Sequence, residues 1–234
     1  MKKLILKTAL LTFAISLVFL LAIFGIMSFA APTVMMKFTA SLGMDGISGD
    51  YAYQAYKSSS GEDRLSYLVR AFETAAERGD NRVARDRFAE LFGEEDSERR
   101  AEFEAYCAEQ AKLQFPEGTS DKVIESYKNF SYRGYLCGQA ACVYYRLAKN
   151  DEEKADALAF AFAQTGETLS VENSPLYYLA LESAEENDGQ FCLSIYDGMN
   201  ERSYEQNKAY QKIETALKSC KNFEQLLAER NIDE

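Results

Sequence analysis

The sequence predicts an all-α protein, an N-terminal transmembrane helix followed by antiparallel helical hairpins. Three observations carry this expectation. Residues 8–36 contain no charged side chain. Beyond residue 50, apolar residues recur at i, i+3 and i+4, the spacing of one helix face, and no stretch alternates apolar with polar residues as a strand does. Only 3 Pro and 13 Gly occur in 234 residues, too few for a disordered or β-sandwich chain.

The first element is a membrane helix. Residues 1–7 form a short basic flank with Lys2, Lys3 and Lys7, and residues 8–31 form a signal-anchor helix. A span needs about 20 apolar residues to cross roughly 30 Å of hydrocarbon, and Leu10 to Ala30 supplies them. Secretory leaders have apolar cores of about 7–15 residues, so this longer run reads as an uncleaved anchor. The alternative is secretion after cleavage near Ala30, where Ser28-Phe29-Ala30 offers small residues. Lysines concentrate before the span, so the positive-inside bias keeps the N-terminus cytoplasmic and exports the residues after about 38. The expected location is the cell membrane, single-pass. Ala22, Gly25 and Ser28 are too few to make a convincing helix-pairing motif within the bilayer.

Residues 32–50 read as a linker. Pro32 kinks or stops the membrane helix, Thr33 to Met44 is apolar enough to prolong it, and Asp45-Gly-Ile-Ser-Gly-Asp50 is a turn cluster. Residues 51–234 then form an acidic, all-helical, repeat-like domain. Tyr51 to Tyr56 is a short helix. Leu65, Leu68, Val69, Phe72 and Ala76 make the next, with Ser60, three before Asp63, as its N-terminal cap and Gly79 at its end. Val83, Ala84, Phe88, Leu91 and Phe92 follow, stopped by Gly93. Ser97 opens a helix bearing Phe103, Tyr106, Cys107 and Ala111, closed by Phe115-Pro116. Val123, Tyr127 and Phe130 lie on a helix that breaks near Gly134. Leu136 to Leu147 and Ala155 to Phe162 come next, the latter ended by Gly166. Ser174-Pro175 is a strong start signal, a capping hydroxyl with Pro at the first helical position. Shorter helices around Ile195, Ile213 and Leu226 finish the chain. The expected helices run 8–17 residues, with turns of 2–8 residues, lengths that suit hairpins.

Two segments are alike. Leu68 to Leu91 holds a helix, Gly79-Asp80, then Ala84, Phe88 and Leu91. Val143 to Phe162 holds a helix, Asn150-Asp151, then Ala155, Ala159 and Phe162. Residues about 65–93 and 139–165 thereby weakly resemble tetratricopeptide-like helical repeats. The resemblance implies a TPR-like α-solenoid, or an irregular helical domain diverged from one, whose concave face binds proteins or peptides. Phe72 stands where that pattern usually has a small residue, and no Pro closes either unit.

Charge and composition narrow the chemistry. The chain has 26 Lys+Arg against 37 Asp+Glu, and every acidic residue lies at Asp45 or later. Nucleic acid is not expected as a partner of such a chain, because binding there depends on a basic face. The chain has 0 His, which removes the commonest general base and metal ligand. No catalytic residues, cofactor or metal site are expected. The clusters Glu94-Glu95-Asp96, Glu152-Glu153 and Glu185-Glu186-Asp188 read as solvated helix ends. They also leave open a membrane-tethered carboxylate hydrolase acting on cell-envelope glycan. The Arg-rich stretch 62–100 holds 11 acidic residues as well, and reads as ion pairs on exposed faces. Cys107, Cys137, Cys142, Cys192 and Cys220 read as buried thiols. Cys192–Cys220, or Cys107 with Cys137 or Cys142, remain open as disulfides.

Fifteen Tyr all follow the membrane segment. Tyr51, Tyr53, Tyr56, Tyr132, Tyr135, Tyr144, Tyr145, Tyr177 and Tyr178 cluster in sequence. They read either as inter-helix packing with wet hydroxyls or as a Tyr-lined protein-binding groove, since Tyr is enriched at interfaces. The expected function is a non-catalytic protein–protein interaction scaffold, anchored by its single membrane helix and working outside the cytoplasm.

Overall fold

The computed structural model describes residues 2–61, 63–93, 96–113, 118–120, 132–165, 174–200 and 208–230. Among the described residues there are twelve α-helices and no strand, so the protein is all-α. The chain divides into two compact units, Met1–Arg78 and Gly79–Glu234.

The first unit contains α1 (Lys2–Ala30), α2 (Pro32–Ser41), α3 (Asp45–Ser58) and α4 (Arg64–Glu77). Leu10–Ala30 of α1 is 21 residues long, about 31 Å at 1.5 Å per residue, and apolar enough to cross a membrane. A membrane anchor and a signal sequence both have this form. Its side chains from Leu10 to Phe24 are exposed, as a lipid-facing helix requires. The helix stops where Pro32 predicts. Ala31 leaves helical backbone (φ −142°, ψ 62°), and Pro32 opens α2, where its missing N–H costs nothing.

Residues 32–50 are not an irregular linker. They form α2 and the first turns of α3. The cluster Asp45–Asp50 looked like a turn because of its glycines, but these serve close packing. A Cβ on Gly49 would lie 2.7 Å from the Thr74 side chain, and one on Gly46 would lie 3.0 Å from Arg78. The Arg78 guanidinium instead donates to Gly46 O (3.2 Å). Small residues thus let α3 press against α4, an advantage that outweighs the roughly 1 kcal/mol propensity cost of Gly in a helix. Met35, Met36, Tyr51, Ala52 and Ala71 form the core between α2, α3 and α4. Ser48 Oγ donates to Met36 O (3.0 Å) and satisfies a buried hydroxyl. Ser60 does not cap α4. Asp63 occupies that position, without a side-chain capping bond.

The second unit contains α5 (Asn81–Phe92), α6 (Ser97–Leu113), α7 (Tyr132–Leu147), α8 (Asp151–Thr165), α9 (Pro175–Glu185), α10 (Gly189–Asn200), α11 (Lys208–Lys218) and α12 (Phe223–Arg230). Gly93 ends α5 in the left-handed region (φ +63°), and a Cβ there would also meet Arg99 at 2.7 Å. Asp96 caps α6, its Oδ1 accepting from the N–H groups of Glu98 (3.0 Å) and Arg99 (3.1 Å). Helix α7 runs through Gly134, so no break falls at that residue. Asn150 caps α8, its Oδ1 accepting from Glu153 N (2.9 Å), and Glu153 Oε2 in turn accepts from the N–H of Lys149, one residue before the cap (2.7 Å). Ser174 Oγ accepts from Tyr177 N (3.2 Å) at the start of α9, as its sequence predicts. The helix expected around Val123, Tyr127 and Phe130, and the stops at Phe115-Pro116 and Gly166, lie outside the described residues.

Helix α7 packs against α5, α6, α8 and α9, and α9 packs against α8, α10 and α11. Leu176, Leu179, Ile195, Ile213 and Leu217 form the larger core. Phe88, Phe92, Phe103, Tyr144 and Phe160 join α5, α6, α7 and α8 through mostly edge-to-face contacts at 5.1–6.4 Å. Each such pair contributes about 0.5–1.5 kcal/mol beyond area burial.

Three polar ties cross the helices. Arg133 Nε donates to both oxygens of Glu104 (2.8 and 3.0 Å), while its other nitrogens reach Gln164 O and Oε1. Arg146 grips Glu182 in a bidentate pair. Asp188 accepts from Tyr145 Oη (3.0 Å) and pairs with Lys154. All five cysteines are buried free thiols, and none of the disulfides left open by the spacing forms. Burial pushes the Cys137 and Cys192 thiols up to about 12, so they stay protonated and unreactive near neutrality.

Candidate interaction site

The nine sequence-singled tyrosines separate into several settings. Tyr51, Tyr53 and Tyr56 belong to the first unit. Tyr51 is buried, its hydroxyl hydrogen-bonded with Ser28 Oγ (2.6 Å) at the end of α1. Tyr56 is 1% exposed, with the Arg64 guanidinium 4.6 Å from its ring centroid. Tyr53 is half-buried beside it, the ring centroids 5.8 Å apart.

In the second unit a run of rings crosses three helices. Tyr106 of α6 meets Tyr132 of α7 (6.2 Å), Tyr132 meets Tyr135 (6.2 Å), Tyr135 meets Tyr178 of α9 (5.8 Å), and Tyr178 meets Tyr177 (5.5 Å). The Tyr178 ring rests on the backbone at Gly138, where a Cβ would come within 2.4 Å. Tyr106 was missed as a candidate because it has no Tyr neighbour in sequence. Tyr145 is buried against Phe191 (5.1 Å). Burial withdraws Tyr51, Tyr56, Tyr145 and Tyr177 from any docking face. For these four, inter-helix packing is the role observed.

Tyr144 sits in a setting that is both concave and charged. It lines a cleft of about 1030 Å³ between α5 and the α7–α8 hairpin. Phe160, Ala89 and Ala157 complete an apolar floor, and Tyr144 and Phe160 meet edge to face at 5.1 Å. Arg82, Arg85, Arg146 and Lys149 supply four cationic side chains to its walls, against Glu153 and Asp156. Arg146 is committed to Glu182, and Arg85 to Asp86 (2.9 Å). Among the described residues no ion pair holds Arg82 or Lys149, and both are exposed.

The Arg-rich stretch therefore does more than pair with its own carboxylates. Arg99 does pair with Glu102 (2.8 Å), and Arg100 covers the Phe92 ring at 3.4 Å, but Arg82 and Arg85 line the cleft. Window-averaged charge hides this, because the cations of α5 meet those of α7 only after folding.

No family model matches the chain, and no curated protein or solved structure matches it.

The carboxylate clusters are placed as follows. Glu94 and Glu95 lie outside the described residues, and Asp96 caps α6. Glu152, Glu153, Glu185 and Glu186 are exposed. Burial acts to raise the Asp188 carboxyl, but hydrogen bonds from Lys154, Tyr145 and Phe191 N outweigh it and hold it below the usual carboxylate range. Among the described residues, no group of three or more Cys, Asp or Glu is arranged to hold a metal ion. The cleft presents fixed positive charge around an aromatic floor, an arrangement suited to an anionic ligand with an apolar body.

Proposed function

We propose that the protein is a single-pass, membrane-anchored interaction scaffold whose second unit lies outside the cytoplasm and binds an acidic peptide segment of a partner protein. The observation that carries this reading is the cleft between α5 and the α7–α8 hairpin, where Arg82 and Lys149, held by no ion pair among the described residues, stand beside an apolar floor. The protein has net charge −11, so polyanions such as nucleic acid or an anionic membrane surface are repelled as a whole. A short acidic peptide feels mainly the charges within about 8–10 Å, the screening length at physiological salt. Hairpins packed on their neighbours, as α7 packs on α8 and α9, support the helical-repeat reading, in which apolar faces are buried by stacking.

The test is fluorescence polarisation of full-length protein in detergent micelles, with labelled dodecapeptides of alternating Glu and Phe or alternating Lys and Phe. The acidic peptide should bind, the basic one should not, and Arg82→Glu with Lys149→Glu should weaken binding at least about tenfold. Equal binding of both peptides, or affinity indifferent to the charge reversal, refutes the assignment. Turnover of purified cell-envelope glycan by the same preparation would favour the carboxylate hydrolase instead.

A further inference from the structure

The segment directly after the membrane span carries exposed apolar residues that folding leaves uncovered. Val34, Phe38 and Leu42 are 51%, 47% and 58% exposed, and Met44 and Ile47 follow at 43% and 42%. Val34 and Phe38 stand four apart on α2, and Leu42, the residue at its C-terminal cap, continues their stripe. The opposite side is already used: Met35, Met36 and Thr39 are buried against α3. The orientation of α2 is thus fixed by its inner face, and its outer face is free to meet something else.

The position of that face names its occupant. Ala31 breaks the helix just after the span, and α2 packs against α1. Tyr51 of α3 hydrogen-bonds with Ser28, which stands two residues before the end of Leu10–Ala30. These contacts hold α2 and α3 beside the last turn of α1, at the level where a spanning helix leaves the hydrocarbon. Between Pro32 and Ile47 the only charged residues are Lys37 and Asp45, so desolvation there costs little. Lys37 lies beside the apolar stripe, placed to extend its ammonium toward the headgroups.

We infer that α2 is an interfacial helix whose Val34–Phe38–Leu42 face, continued by Met44 and Ile47, lies in the headgroup–acyl boundary of the membrane that α1 crosses. The inference rests on the anchor reading of α1. Amphipathic helices of this kind bury their apolar face about 5–10 Å into the boundary. The second contact fixes the tilt and rotation of the first unit against the bilayer, which one helix alone leaves free. The segment is nearly uncharged, so insertion does not require anionic lipid.

The chain contains 0 Trp, which makes an inserted Trp an unambiguous reporter. Full-length Phe38→Trp and, separately, Phe19→Trp are reconstituted into phosphatidylcholine vesicles brominated at a shallow or a deep acyl position. Trp at position 38 should be quenched more by shallow than by deep bromine and shielded from aqueous iodide. Trp at position 19, in mid-span, should be quenched by deep bromine. Failure at position 19 removes the membrane reading altogether. Quenching at 19 with water-like, iodide-accessible emission at 38 overturns the interfacial inference alone. Blue-shifted emission at 38 that no bromine quenches means that protein covers the stripe, and also overturns it.

Discussion

Asp188 shows how much one side chain can organise. Its Oδ1 accepts from Phe191 N (3.3 Å) at the start of α10, and its Oδ2 ties Tyr145 of α7 and Lys154 of α8 to the α9–α10 turn. Burial alone would favour the protonated acid, yet three donors reverse the balance. The folded carboxyl titrates below its unfolded value of about 3.9. Its contribution to stability is therefore complete above that pH and is lost as pH falls through the folded value. Asp188→Asn should lower stability near neutrality by about 1–3 kcal/mol, since a charge-assisted acceptor is lost between helices. It should also flatten the acid side of the stability curve relative to wild type, as read by urea unfolding of full-length protein between pH 3 and 7. An unchanged acid limb would assign that pH dependence to other carboxylates.

Between elements, the polar ties decide which helices meet. The guanidinium of Arg133 on α7 reaches Glu104 on α6 and Gln164 on α8 at once, four hydrogen bonds from one side chain. Its salt-bridge partner Glu104 is 35% exposed, so screening by water is partial. Arg133→Met keeps much of the packing volume but leaves Glu104 and Gln164 without their donor. It should cost about 1–3 kcal/mol. Arg133→Met combined with Glu104→Leu should recover part of that loss, because removing both partners is milder than stranding one. A double-mutant cycle by urea unfolding measures this, and strictly additive losses would show that the pair is decorative. The same scale explains why the α2–α3 segment misled local reading. Gly46 and Gly49 carry the composition of a turn, and only their contacts with Arg78 and Thr74 show why a helix contains them.

For the molecule as a whole, the asymmetry of charge about the span sets the expected topology. Lys2, Lys3 and Lys7 precede the span, only Lys37 closely follows it, and the acidic residues all lie beyond. A C-terminal alkaline phosphatase fusion should be active in export, and replacing all three leading lysines by Glu should reduce that activity several-fold. A full-length fusion that is made but lacks phosphatase activity would place the C-terminus in the reducing cytosol and overturn both the topology and the extracellular peptide-binding proposal. The division of the chain at Arg78–Gly79 falls inside the first repeat-like segment, so α4 and α5 belong to different compact units. The second such segment, α7 with α8, lies wholly within one unit.

Helicity, the membrane-length segment, the Ser174-Pro175 start and the Gly93 stop were all legible in residue order. Each depends on interactions within a few residues or on the transfer of a continuous run from water, and such terms are local. The α2–α3 pairing, the burial of Tyr51, Tyr56, Tyr145 and Tyr177, and the run of rings from Tyr106 to Tyr177 were not legible. Neither was the cleft, where Arg82 and Arg85 of α5 face Lys149 and Tyr144. These depend on which helix faces lie side by side, and a 3.6-residue period shows that a face is apolar without showing what will cover it.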